Sequence, residues 1–384
     1  MAKRKAALKG GNRDRAAAGE RIRKLATGII GMVHKQDDPF VEIPSRTLGN
    51  VKFNEKRGII ELLDGKQRRS FFSLLGRRKG EGSQAKKFMQ TFRVAEVCKR
   101  LIDADDSTSL RDLFYNLKVP VRGSKELIFF DQAESDPVIE DIEVTVTALR
   151  EELGVHAETK GSMVGPLTIV DNGDTIDLTA MGSGGWAVPS IVEADVIQFV
   201  PAKMKAKFIL LIEKGAVWQR FNKDRFWEKH ACIIIHGGGQ PPRGVRRLCH
   251  RMHGELKLPV YVLVDNDPWG YYIYSVVKQG SINLAFESQR MAIPAARFIG
   301  MSSFDAEKFD IPPHVPMPLT DEDRRRAREI REYPWFASKD WQREIKRMES
   351  LGVKLELEAL SNKNFSFITE QYLPRKMKEG EWLD

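Results

Sequence analysis

The apolar residues of this chain change rhythm near residue 206, and the change separates two kinds of structure. Before that point they recur mainly at helical spacing. Residues 21–34 place Ile22, Leu25, Ile29, Ile30 and Val33 on one stripe, the mark of an amphipathic helix. Residues 41–63 are mixed and strand-like, and 77–87 (RRKGEGSQAKK) form a Gly/Lys/Arg-rich break. Three helix-compatible segments follow. Residues 88–102 carry Phe88, Phe92, Ala95, Leu101 and Ile102 on one side. Residues 109–118 open with Ser109 and Asp112 at capping-box spacing. Residues 140–153 are closed by Gly154, a usual helix stop. Segments 163–170 and 175–179 then flank Asn172-Gly173, a strong hairpin signal. Three helices followed by a hairpin predict a CAP-like winged helix-turn-helix, a fold that binds duplex DNA or protein.

Beyond residue 206, short continuous apolar runs take over at Phe208–Ile212, 232–235 and 260–264. Helix-compatible segments 216–227, 243–256 and 271–278 alternate with them. This alternation predicts a doubly wound parallel α/β sheet. A charged helical stretch at 320–351 ends at Gly352, and the chain finishes in a polar tail. The expected organisation is mixed α/β in three parts. Residues 1–69 form a basic tail and an extension with a partner-docking helix, 70–180 a winged-helix domain, and 181–384 an α/β domain with helical additions.

Composition narrows this picture without redirecting it. A chain of 384 residues has room for two cores, and 42% hydrophobic with 30% charged residues is ordinary for a soluble protein. Cys98, Cys232 and Cys249 form no CxxC pair, and their odd number argues against a disulfide framework. No apolar run approaches the roughly 18–20 residues that span a bilayer. No apolar stretch backs the basic amino terminus as in a secretory signal. A cytoplasmic protein without membrane contact is expected. The net charge is +9, of which residues 1–15 hold +5. Such a segment either solubilises or makes non-specific contacts with nucleic acid.

In an open parallel sheet, ligands gather at the carboxyl ends of the strands. The run FILLI leads into Glu213, and VYVLV leads into Asp265, Asn266 and Asp267. Acidic groups at adjacent strand ends repel one another unless a cation lies between them. All-oxygen ligation favours Mg²⁺, while N-cap or turn roles are the alternative. The segment from His236 to Arg247 (HGGGQPPRGVRR) brings glycines and then Arg243 and Arg246 to a helix start. That arrangement suits phosphate or a plain strand-to-helix turn. No P-loop signature occurs in the chain. The spacings of Cys232, His236, Cys249, His250 and His253 match no standard zinc site. Among seven tyrosines, Tyr115 stands apart, with Arg111 one helical turn behind it and Asp112 at i−3. A tyrosine needs a base or a nearby cation to act as nucleophile at neutral pH.

Four stretches together resemble a known family. SLRDLFYNLK (109–118) is similar to the active-site tyrosine motif of the DNA-cleaving subunits of archaeal topoisomerase VI, the type IIB topoisomerases, and of their relative the meiotic double-strand-break transesterase. LIEKGAVWQRF (211–221), GGQPPRGVRRL (238–248) and VDNDPWGYYIYSVVKQGSINLAFES (264–288) resemble that family's Toprim domain. The likeness runs over about residues 20–370 in the family's order. It implies that Tyr115 is the nucleophile, with Arg111 its neighbour, and that Glu213, Asp265 and Asp267 form the acidic Mg²⁺ triad. Asn266 stands where many relatives have glycine, and Gly215 where they often have Asp.

The resemblance implies Mg²⁺-assisted transesterification. The Tyr115 hydroxyl would attack a DNA backbone phosphorus to give a transient phosphotyrosyl double-strand break. Glu213 would serve the leaving 3′ oxygen, and Arg243, Arg246 and Lys214 would contact phosphate. Double-stranded DNA in the nucleoid, a homodimer, and an ATP-binding GHKL-type B subunit completing an A₂B₂ heterotetramer are the implied partners. The 21–34 helix is the docking candidate for that ATPase. Two other readings stay open. One is a Toprim metal-dependent nuclease or primase-like enzyme without a covalent intermediate, and the other a winged-helix regulator with a degenerate α/β domain.

Overall fold

The computed structural model describes residues 2–63, 69–75 and 84–384, with side chains from residue 14 onward except 69–71. Most of the basic break at 77–87, and the side chains of the basic amino-terminal segment up to residue 13, lie outside the described residues. Two compact units emerge. The first comprises Met1–Asn50 and Leu63–Glu158, the second Val51–Leu62 and Thr159–Asp384.

In the first unit the core lies among four helices: Ala2–His34, Ala85–Asp103, Leu110–Leu117 and Gln132–Val146. Val94, Cys98, Leu113, Leu117, Phe129, Val138 and Ile142 fill it, with Ala18 and Ile22 from the first helix. The amphipathic stripe is therefore shared out. Ile22 is buried in the unit, while Ile30 and Val33 remain more than half exposed. The fourth helix begins eight residues before the predicted start. Asp131 caps it by accepting from Glu134 N–H at 2.9 Å. Pro137 sits inside this helix, although proline disfavours a helix interior. Its end comes earlier too, at a left-handed Thr147, and Gly154 instead closes the next turn with φ +76°. Strands Phe40–Pro44 and Arg69–Ser73 pair antiparallel within the same unit.

In the second unit, Phe208–Ile212 is the centre of a six-stranded sheet. It pairs in parallel with Cys232–His236 on one side and Val260–Leu263 on the other, and Arg297–Phe298 extends the parallel part. Ser162–Val164 and Trp186–Ala187 add an antiparallel edge, so the sheet is mixed rather than wholly parallel. Both faces are covered. Ile209, Leu211, Ile233, Ile235 and Val262 face one core with the helices Arg243–Leu256 and Pro268–Gln279. Phe208, Leu210, Ile212, Ile234 and Leu263 face the other with the helix Gly215–Lys223. Side chains alternate across a strand, so burial on both faces requires these uninterrupted apolar runs.

Three expectations change. The Asn172-Gly173 hairpin forms, between Thr168–Asp171 and Asp174–Asp177. It is not a wing on the helical unit, because Thr168–Asp171 pairs with Ile197–Phe199 in the second unit. The strand-like 41–63 stretch is split as well: Val51–Asn54 and Ile59–Leu62 form a hairpin of the second unit. Finally, the carboxy-terminal segment is no polar tail. Leu357, Leu360, Ile368, Tyr372 and Leu373 are buried in the second core.

Candidate active site

Tyr115 sits on the short helix Leu110–Leu117. Ser109 starts that helix, accepting from Asp112 N–H at 3.0 Å and donating its hydroxyl to the Asp112 carboxylate at 2.8 Å. A parallel bridge between Thr108–Ser109 and Val155–His156 anchors the same end. Leu113, Phe114 and Leu117 point into the core, which leaves Arg111 and Tyr115 on the outer face. Tyr115 is 58% exposed, its ring tilted against Phe114 with centroids 5.1 Å apart. A tyrosine that only packed would be drawn inward. This one is offered outward on a helix fixed at its start.

Glu213 and Asp265 meet at the carboxyl ends of two neighbouring parallel strands, and Asp267 opens the helix that follows. Glu213 follows Ile212, which is in register with Leu263 two residues before Asp265. Asp265 N–H donates to Glu213 Oε2 at 3.3 Å. One oxygen of Asp265 accepts from Leu357 N–H at 2.7 Å, and the other lies 2.7 Å from the Lys214 ammonium. Asp267 caps the helix Pro268–Gln279, accepting from Gly270 N–H at 2.6 Å. Only a glycine allows that helix to start so close, because a Cβ at Gly270 would lie 2.6 Å from the Asp265 carbonyl oxygen. The N-cap reading of Asp267 is the one its contacts show.

Burial shapes the charge of this cluster. Loss of water, then the charge of Asp265, pushes Glu213 up to about 7. Burial likewise pushes Asp265 up to about 6, against the hydrogen bond from Lys214. Asp267 is raised by burial too. Among the described residues, no three His, Cys, Asp or Glu side chains stand close enough to hold a metal ion. Asp265 is engaged by Leu357 and Lys214, and Asp267 by its helix cap. The donor set nonetheless has the chemistry that a hard cation takes: three carboxylates, one buried and two half-buried, at and just beyond adjoining strand ends.

The basic residues fall differently. Arg243 pairs with buried Glu287 at 2.7 Å, and Arg246 is only 3% exposed. Arg243 thus has a carboxylate partner inside the chain. A sequence pattern at a helix start does not show which carboxylate from a distant segment will meet it. Lys214 bridges Asp265, Glu358 at 3.0 Å and Glu356 at 3.3 Å. The glycine loop folds back on the site, Gly239 N–H donating to the Glu213 carbonyl at 2.9 Å. Cys232 and Cys249 are buried free thiols in the core.

Sequence reasoning missed Glu344. This carboxylate is 3% exposed and accepts from Tyr271 Oη at 2.8 Å, Ser302 Oγ at 2.7 Å and Ser303 N–H at 2.5 Å. A signal did exist: Trp341, Glu344, Ile345 and Met348 share one helical face, and the other three are apolar.

Comparison with known proteins identifies the family. The Toprim domain of the topoisomerase 6 A-subunit/Spo11 family matches residues 208–377, and the type IIB DNA topoisomerase family matches 86–155. The all-beta domain of the DNA topoisomerase VI alpha subunit matches 157–202, which contains the Asn172-Gly173 hairpin. The type 2 DNA topoisomerase 6 A-subunit of Pyrococcus abyssi is 38% identical over 374 residues, covering 95% of this chain and 94% of the relative. Its namesake in Hyperthermus butylicus is 39% identical over 375 residues, covering 93% of each chain. That of Methanocaldococcus jannaschii is 34% identical over 386 residues, covering 96% and 97%. The chain belongs to the A-subunit family of type 2 DNA topoisomerase 6, whose members are type IIB topoisomerases.

Proposed function

We propose that this chain is the DNA-cleaving and religating subunit of an ATP-dependent type IIB topoisomerase, working on double-stranded DNA through Tyr115. The observation that carries the reading is the outward presentation of that phenol beside Arg111. The helices around it serve as the helix-turn-helix that meets the duplex.

In the chemical step, the Tyr115 oxygen forms a bond to a backbone phosphorus and the bond from phosphorus to the 3′ oxygen breaks. The phenolic proton leaves to water or a base, and the 3′ oxygen takes up a proton. Glu213, at the strand end beside Asp265, is the candidate to give that proton. Arg111 supplies positive charge to the phenolate or the phosphate. The ester keeps the energy of the original linkage, so attack by the 3′ oxygen restores it without a nucleotide. Glu213, Asp265 and Asp267 would hold a divalent cation, Mg²⁺ in this reading, which when bound supplies charge to phosphate oxygens.

The triad and the tyrosine of one duplex cut come from two copies of the chain in this reading. A separate GHKL-type B subunit binds ATP and completes an A₂B₂ assembly, docking on the exposed Ile30 and Val33 end of the first helix. Residues 1–15 make non-specific contacts with DNA. No helix among the described residues is long and apolar enough to cross a membrane.

The test uses the chain with its ATPase partner, Mg²⁺, an ATP analogue and supercoiled DNA, denatured with detergent before electrophoresis. Protein attached covalently to both broken ends is expected, and Tyr115→Phe should abolish it while DNA binding persists. Breaks that persist in Tyr115→Phe would instead establish the metal-dependent nuclease reading.

A further inference from the structure

Only one residue separates Asp265 from Asp267, so the spread of the two carboxylates depends on the backbone of Asn266. That residue is 2% exposed and tied on every side. Its backbone N–H donates to the Leu355 carbonyl at 2.8 Å, and its carbonyl accepts from Leu355 N–H at 3.1 Å. The nearby Leu357 donates to Asp265 itself. The two N–H groups of the Asn266 side-chain amide are shared among Tyr271 Oη, Ser303 Oγ at 3.2 Å and Glu344 Oε1 at 3.3 Å.

Glu344 is the hub of this arrangement. It receives Tyr271 from the first turn of the helix that Asp267 caps, and Ser302 and Ser303 from another loop. That loop is joined to the strand end before Asp265, because Met301 N–H donates to the Val264 carbonyl at 3.0 Å. One carboxylate thus gathers Asn266, the start of the Asp267-capped helix and the loop beside Val264. Burying a carboxylate is costly unless its oxygens are hydrogen-bonded, and here several donors meet the need. None of these groups is itself a candidate ligand, nucleophile or general acid.

We infer that Glu344 and Asn266 are positioning residues that together set the separation and aim of Asp265 and Asp267 toward a divalent cation. The inference rests on the reading of those acids as cation ligands given above. Partners behind metal ligands commonly govern affinity by about 10- to 100-fold. Glu344 does so through Asn266 and Tyr271, from a helix nearly 80 residues farther along the chain.

The test measures Mn²⁺ binding to the full chain by electron paramagnetic resonance, with thermal unfolding and metal-free DNA binding measured alongside. Asn266→Ala removes the amide donor, Asn266→Asp sets a second carboxylate against Glu344, and Glu344→Gln converts one acceptor into a donor. Each should weaken Mn²⁺ binding about tenfold, with DNA binding in the absence of metal unchanged. Ser302→Ala, the mildest change to the hub, carries the test should Glu344→Gln not fold, with about threefold weakening expected. Wild-type affinity in folded Asn266→Ala and Ser302→Ala would overturn the inference alone, provided Asp265→Asn abolishes binding. If Asp265→Asn also binds Mn²⁺ like wild type, the underlying reading of the triad fails instead.

Discussion

The ammonium of Lys214 lies 2.7 Å from the carboxylate of Asp265, which is almost wholly buried. It is also shared with Glu356 and Glu358 at the rim. Burial disfavours the lysine charge, but the hydrogen bond and charge of Asp265, then those of Glu358, outweigh it and hold the ammonium above its usual range. A positive charge thus offsets part of the acid cluster from within the chain.

Lys214→Met should expose that balance. Leaving a buried carboxylate without its charged partner costs about 2 kcal/mol or more. Urea unfolding without metal should give a loss of that order, and Mg²⁺ should restore more stability to the variant than to wild type. Equal responses of the two proteins to Mg²⁺ would show that Lys214 and the cation do not share Asp265.

Gly270→Ala should be costly although alanine is the better helix former. The new methyl would meet the Asp265 carbonyl oxygen at 2.6 Å, and overpacking of this kind costs roughly 1–3 kcal/mol. A lower thermal midpoint, together with weaker divalent-cation dependence of DNA cleavage, is the expected pair of results. An unchanged midpoint would mean that the helix start can move aside.

Glu193 offers a pH readout in a residue outside the acid cluster. It accepts from Arg247 at 2.7 and 2.9 Å and from Arg290 at 2.7 Å. Burial acts to raise its pKa, but the hydrogen bond from Arg247 and the charges of Arg290, Arg247 and Arg251 bring it below the usual value. A depressed folded pKa adds stability above the unfolded value, lost as pH falls through the folded one. Glu193→Gln should therefore be less stable than wild type near neutrality, with the difference shrinking in acid. Constant separation of the two acid-unfolding curves would refute the assignment.

Tyr115→Phe should leave the fold intact while ending covalent attachment. The hydroxyl faces outward, the ring contact with Phe114 is retained, and surface changes of this kind usually stay within about 0.5 kcal/mol. Matching thermal curves would confirm that lost chemistry is not lost structure.

Much of this was legible in the sequence because it is locally encoded. Phe208–Ile212 and Val260–Leu263 are continuous apolar runs since both faces of their sheet are covered, and the acids after them follow directly. Ser109 and Asp112 announced a helix start that forms as read. What stayed hidden depends on distant partners. Asn172-Gly173 dictates a tight turn but not the strand, Ile197–Phe199, that receives it. Arg243 reads as a free cation until Glu287 appears beside it. Glu344 looks like one more charge on a charged helix, and only the fold reveals its four hydrogen-bonding neighbours from other segments.

The hairpin Val51–Leu62 has a practical outcome for anyone wishing to isolate the Toprim half. Its residues Ile59 and Ile60 are buried, Ile60 in the same core as the sheet, while Gly58 abuts Pro294. A fragment starting at Thr159 would leave behind a patch of its own interior, and solubility should suffer unless those dozen residues are grafted back. The polypeptide passes between the units three times, so no single cut yields both halves whole.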